Sequence, residues 1–202
     1  TVYRWMFMFG HYLGTVQFVS RFLNNAYEIG FRDFYMNLMS YMEEKQGEGF
    51  IGQQYSKTEK ALSGVLIAES PWGRVVPEIR ENFAWDFEEA TVLEIMRNKE
   101  IFYAEIKDFV LLNYQIPEDV LDETLKYQQA AILNPDLNYP IIEEFRYNIH
   151  DVIHNKSHLG PVEQSLQFEA KNYNGDFYEY GKETLWCRRV AAYKNKVTII
   201  DG

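Results

Sequence analysis

Residues 69–94 (ESPWGRVVPEIRENFAWDFEEATVLE) constrain the fold of this chain more than any other stretch. Pro71, Gly73 and Pro77 keep its first half out of a helix, since proline lacks the amide donor and glycine has too much backbone freedom. Helical patterns lie on both sides, so two helical blocks must meet across an irregular connection. The second half opens a helix: Asp86-Phe87-Glu88-Glu89 has capping-box spacing, and carboxylates suit the positive end of the helix dipole. The prolines and part of the acidity thereby acquire a structural reason. Trp72, Arg74 and Trp85 do not. Trp72-Gly73-Arg74 has two readings: Trp72 plugs the core while Arg74 pairs with Glu88 or Glu89, or Arg74 faces an interface or an anionic ligand.

Upstream, residues 2–29 carry apolar side chains on nearly every face, which predicts one helix buried on most sides. Gly30 stops it, and a second helix follows over 31–46, with Phe34, Tyr35, Leu38, Met39 and Met42 at helical spacing. Ser56-Lys57-Thr58-Glu59 has the pattern of a capping box and predicts the start of a third helix. Downstream of residue 86, helical spacing runs through Phe109 and Val110 with a break near Asn98, and Pro117 opens another helix to about Leu133. Beyond Pro135 and Pro140 the period changes. Phe145, Tyr147 and Ile149 alternate with polar residues, a second strand fits 165–173, a short helix fits 176–184, and 188–193 with 197–200 read as a hairpin. The expectation is an α+β fold: a helical region over 1–134, then a small antiparallel sheet with a short helix over 135–202, in one combined domain.

Composition narrows the function. The chain of 202 residues is 47% hydrophobic and 16% aromatic, enough for a thick core or a substantial interface. The net charge is −10, and residues 61–150 hold 17 acidic against 7 basic side chains, which accounts for all of it. An acidic middle argues against a nucleic-acid groove and against anionic membrane surfaces. Arg4, His11, Gln17 and Arg21 interrupt the apolar opening, so it is not a membrane span, and a cytoplasmic location is expected. The strongly apolar start is also expected of a segment cut from a longer protein, and a processed terminus would look the same. With Cys187 the only cysteine, an internal disulfide is excluded, and a cysteine-held cluster needs ligands from elsewhere.

Several letter patterns suggest chemistry. Gly47-Glu48-Gly49-Phe50-Ile51-Gly52 spells G-x-G-x-x-G, but no buried strand precedes it, so it reads as a flexible loop and not a nucleotide site. His150, His154 and His158 are spaced by four, as metal ligands on one helix face can be. A strand-like run ends at His150 and Gly160-Pro161 follows, so surface or loop histidines are the expectation and no metal is assigned. A di-iron site fails because no histidine has a Glu three residues before it. Glu88-Glu89 and Glu143-Glu144 point in diverging directions and form no acid–base pair. No nucleophile motif such as G-x-S-x-G is present.

Phe9-Gly10-His11, residues 17–23 (QFVSRFL), Pro71-Trp72-Gly73-Arg74, the segment 85–94 and Trp186-Cys187-Arg188-Arg189 together resemble a known region. It is the one that follows the catalytic barrel in cobalamin-binding radical S-adenosylmethionine proteins of the Fe–S oxidoreductase type. The resemblance implies that a cobalamin-binding domain and a radical barrel carry the chemistry. The cluster of that family is held by Cys-x-x-x-Cys-x-x-Cys, which this chain lacks. Cluster, S-adenosylmethionine and cobalamin would then belong to other domains.

The leading expectation is therefore a non-catalytic C-terminal accessory domain whose partner is the catalytic domain of the same polypeptide. It would cover the substrate side of the barrel, where excluding water protects radical intermediates. Candidate interface or substrate contacts are His11, Arg21, Trp72, Arg74, Trp85 and Glu88. One alternative is a free-standing helical module that dimerises through the aromatic face of residues 2–23. Another is a small-molecule enzyme with a pocket around His11, Arg74 and Glu88.

Overall fold

The computed structural model describes residues 2–62, 73–185 and 194–201. Helix α1 (Val2–Phe7) passes into a π-helical turn (Met8–Tyr12), and α2 covers Gln17–Tyr27. The single helix expected over 2–29 is therefore two. Gly14 adopts φ +89°, a conformation natural to glycine. The amides of Leu13 and Val16 reach back to the carbonyls of Met8 and Gly10 at 2.7 and 2.9 Å. The Thr15 hydroxyl donates to the Phe9 carbonyl, and the Tyr103 hydroxyl donates to that of Thr15. The break is thus pinned by the core. Gln128, fully buried, accepts from the Phe18 and Val19 amides and donates to the Gly14 carbonyl, so a distant side chain caps α2.

Helix α3 (Phe31–Glu44) ends two residues before the expected boundary, and α4 spans Gly49–Leu62. Two expectations are corrected here. The glycine-rich run is a loop only at Gly47 and Glu48, because Gly49 to Gly52 form the first turn of α4, and Ser56 lies inside the helix instead of opening it. The Phe50 and Ile51 amides are taken by the Glu105 carboxylate, both at 2.7 Å. Any Cβ at Gly52 would stand 1.7 Å from the Lys45 carbonyl oxygen, so close backbone packing explains that glycine.

Across the connection, β1 (Arg74–Val75) pairs antiparallel with β2 (Ala84–Trp85), Arg74 lying opposite Trp85. The expected capping box then forms: the Asp86 amide donates to Glu89 at the start of α5 (Phe87–Arg97). Asn98 separates α5 from α6 (Lys99–Asn113), and Pro117 precedes α7 (Glu118–Ala131), as predicted.

The sheet comprises β3 (Ile141–Tyr147), β4 (Pro161–Glu169) and β5 (Lys196–Asp201), antiparallel in the order β3-β4-β5. Between its first two strands lies α8 (Ile149–Asn155), so Ile149 is helical and not the end of a strand. After β4 come the short helix α9 (Phe177–Tyr180) and a π turn (Gly181–Leu185). Residues 188–193, one arm of the expected hairpin, lie outside the described residues, and β5 pairs with β4. The fold is α+β, helical first and then a small antiparallel sheet, as the change of period indicates.

One buried cluster runs from Trp5 to Leu185 and includes residues of both regions. Phe145 and Phe168 from the sheet pack their rings against Tyr127 of α7 at 6.0 and 5.7 Å. Asn25 of α2 donates to the Val152 and Ile153 carbonyls, holding the end of α8 against α2. Among the described residues no helix is long and apolar enough to cross a membrane.

Candidate functional site

Arg74 is held inside the protein. Its Nη2 lies 2.6 Å from Glu94 Oε1 and 2.9 Å from Gln54 Oε1, while Lys57 reaches Glu94 from the exposed side at 3.2 Å. The Arg74 and Glu94 side chains are only 12% and 15% exposed. The acid is therefore neither Glu88 nor Glu89. Burial raises the Glu94 pKa, but Arg74, Gln54 and Lys57 outweigh it and hold the carboxyl below its ordinary range. The second guanidinium nitrogen, Nη1, is buried and meets no hydrogen-bond partner among the described residues. Trp85 is buried between Phe83 and Tyr178, and a Cβ on Gly181 would strike its ring at 2.6 Å. It is a core residue. Trp72 lies outside the described residues. Glu88 is half-buried in the first turn of α5 and has neither a hydrogen bond nor an ion pair among the described residues.

His11 belongs to a different neighbourhood. Its Nδ1 meets the Tyr35 hydroxyl at 3.0 Å, its ring stacks on Phe7 at 4.9 Å, and Phe31 approaches edge-on at 6.1 Å. Among the described residues no hydrogen bond, ion pair or ring contact joins His11 to Arg74 or Glu88. The aromatic face around it is open: Tyr3, Phe7 and Phe31 are 41%, 36% and 40% exposed.

Polar groups converge instead around Tyr127, beside α2. The Tyr127 hydroxyl lies 2.9 Å from both His150 Nδ1 and His154 Nε2. Both histidines project from α8 because residues four apart share a helix face. Their rings are 4.6 Å apart. A single hydroxyl hydrogen serves two imidazoles, so Tyr127 donates to one ring and accepts an N–H from the other, which fixes complementary tautomers. His158 falls after the end of α8 and does not join them.

Phe18 of α2 packs edge-on against Tyr127 at 5.5 Å and lies 5.8 Å from the His154 ring. Lys194 sits over the Phe18 ring, its Nζ 5.8 Å from the ring centre. Lys194 is placed there by a bridge to Ile132 and by Asn195, which bonds the Ala130 and Ala131 carbonyls at the end of α7. Arg21 follows Phe18 by three residues on the same face of α2 and makes no hydrogen bond or ion pair with a described residue.

The electrostatics follow. Burial depresses the His11 pKa first, and the fields of Arg21 and Lys194 depress it further. Burial lowers His150 against the pull of Asp151. His154, although open to solvent at one edge, is lowered to about 4 by desolvation, then by His150, Arg21 and Lys194, with Asp151 opposing. Burial and the charge of Arg21 also lower Lys194. Positive charge is thus gathered in one place on an acidic protein. Among the described residues no group of three or more His, Cys, Asp or Glu side chains is placed to hold a metal ion.

Of the residues singled out from sequence, Arg21 belongs to this cluster together with His150 and His154, and His11 lies near enough to feel the charges of Arg21 and Lys194, while Arg74, Trp85 and Glu88 do not join it. Sequence reasoning missed Tyr127, Phe18 and Lys194; the four-residue histidine spacing was the one signal that pointed here. No protein-family model matches the chain, and no curated protein is significantly similar to it.

Proposed function

We propose that this chain is a non-catalytic accessory domain of a larger cytoplasmic enzyme of the radical S-adenosylmethionine and cobalamin type. In this reading it packs against the catalytic barrel through the face formed by Tyr3, Phe7, His11 and Phe31. The observation that carries the reading is the exposure of those three aromatic side chains in one patch around His11. Large aromatic rings are costly to leave in water and are enriched in the buried centres of interfaces. The well-packed interior behind the patch fits a rigid docking surface, and the Arg74–Glu94 pair fits a structural role for the connection. The radical chemistry, the cluster and the cobalamin would reside in the partner domain, and this chain would contribute surface and exclusion of water.

The test has two parts. The gene upstream of the first residue is expected to encode Cys-x-x-x-Cys-x-x-Cys; its absence would sink the reading. In the full polypeptide, hydrogen exchange should be slower over residues 3–12 and 31–36 than in the separately expressed 202-residue chain. Equal exchange in both would show that this face docks nothing. A chain that dimerises through the same patch, abolished by Phe7→Glu, would favour a self-associating module instead.

A further inference from the structure

Arg21, Lys194, His11 and His154 are donors drawn from four separate stretches of the chain, and the Arg74–Glu94 pair does not involve them. Phe18 ties three of them together: Arg21 stands one helical turn along the same face, His154 packs against its ring, and Lys194 lies over it. The fourth, His11, is held by the Tyr35 hydroxyl at 3.0 Å and lies within reach of the fields of Arg21 and Lys194. We propose that these four side chains form a binding site for a small dianionic oxyanion of the phosphate-monoester or sulfate class.

Three features favour such a ligand. Arg21 offers a planar fork of donors with no carboxylate among the described residues to occupy it, and that fork matches an oxyanion. The supporting groups are held in place: Tyr127 fixes His154, Tyr35 fixes His11, and Asn195 anchors the segment before β5 that delivers Lys194. The titratable groups acting on one another here are Arg21, Lys194, His11, His150 and His154, with Tyr35 bonded to His11 and Tyr127 to His150 and His154. Asp151 is the carboxylate acting on the two helix α8 histidines, and it bonds Asn155. Burial keeps the imidazoles neutral when the site is empty, and the charges of Arg21 and Lys194 reinforce it at His11 and His154. An oxyanion would reverse that, since a neighbouring negative charge favours imidazolium. Binding should therefore take up protons and tighten as the pH falls.

The helix dipole plays no part, because Gln128 already occupies the amides at the start of α2. This site is also distinct from the proposed docking face, with which it shares only His11, so the two can fail separately.

The experiment is a titration of the 202-residue chain with sodium sulfate, replacing sodium chloride at constant ionic strength. The readout is the imidazole proton resonances, with His158 as a control outside the cluster. Sulfate stays dianionic throughout, so any pH dependence belongs to the protein. Resonances of His11 and His154 should shift and saturate while His158 stays still, with tighter binding at pH 5.5 than at pH 7.5. Arg21→Gln should weaken binding about tenfold, the effect expected for one charge-assisted hydrogen bond. Lys194→Gln is a second variant that keeps the result readable if Arg21→Gln disturbs the fold. A second arm with a phosphate monoester, phosphoserine, asks whether an organic group is accepted; equal or tighter binding than sulfate assigns the phosphate-monoester class. Equal movement of His158, no saturation, or unchanged affinity in both variants would overturn the site.

Discussion

Arg74 and Arg21 make an instructive pair. Arg74 is 12% exposed and faces Glu94 at 2.6 Å, with Gln54 and Lys57 completing a network that joins β1, α4 and α5. Arg21 stands on α2 beside two histidines and a lysine and has no paired carboxylate among the described residues. The first charge is neutralised from within and is structural. The second has a like charge, Lys194, for a neighbour, which a fold tolerates where solvent or a ligand supplies the counter-charge. Burial alone would have ranked Arg74 as the functional residue. The partner, more than the burial, separates the two roles.

The sharpest way to break this contrast is to orphan Arg74. Glu94→Ala leaves a nearly buried guanidinium uncompensated, and such losses cost about 3 kcal/mol or more. Urea denaturation should show it as a lower midpoint at unchanged slope. Replacing both partners, Arg74→Met with Glu94→Leu, should recover most of the loss, because an apolar pair of similar volume avoids the desolvation cost. If Glu94→Ala is neutral, the pair is not what holds the connection.

A second large effect is expected at Gln128. Its side chain satisfies two α2 amides and the Gly14 carbonyl, so Gln128→Ala leaves three buried backbone groups unmatched, at about 1–3 kcal/mol. Exchange should accelerate at Phe18 and Val19 more than elsewhere. Loss of α2 position would also move Arg21, so the oxyanion affinity should fall with it.

The legibility of these features in the sequence differs for physical reasons. The start of α5 at Asp86, the break at Asn98 and the start after Pro117 are local events, encoded by caps and prolines a few residues from where they act. The interruption at 13–16 was not legible, because it depends on Gln128 and Tyr103 reaching across from α6 and α7. The glycine run at 47–52 misled because its helix start is capped by Glu105, 54 or more residues away. The Tyr127 cluster draws on α2, α7, α8 and the residues before β5, and only the histidine spacing on α8 is a local pattern. Arg21 could be singled out, but that no described residue pairs with it is a property of the folded protein.

Tyr127→Phe probes the cluster itself at smaller cost. The variant keeps the ring packed against Phe18, Phe145 and Phe168 and deletes only the hydroxyl between the two histidines. A loss of about 1 kcal/mol is expected, the net worth of a hydrogen bond. The more telling readout is tautomeric: His150 and His154 nitrogen resonances should lose their complementary assignment. Retention of distinct tautomers in the variant would mean that the hydroxyl does not set them.

Arg21→Ala should produce the smallest change in stability at neutral pH, within about 0.5 kcal/mol, as expected for a half-buried position with no hydrogen bond or ion pair among the described residues. Its effect appears on acidification. His154 has an ordinary value of 6.5 and is depressed to about 4 in the folded chain, so between those two values the unfolded chain binds a proton that the folded chain does not. Stability contributed by the neutral ring is therefore whole above pH 6.5 and is lost as the pH falls towards about 4. His11 and His150, also depressed, act in the same direction. Removing Arg21 lifts part of the repulsion on His11 and His154, raises their pKa values and should make the acid limb of the stability profile shallower. Glu94, whose carboxyl is held low, also loses stability on acidification, but it does so through Arg74 and should respond equally in both proteins. Superimposable acid limbs for the native chain and Arg21→Ala would mean that Arg21 does not act on these histidines, and the contrast with Arg74 would then lose its electrostatic basis.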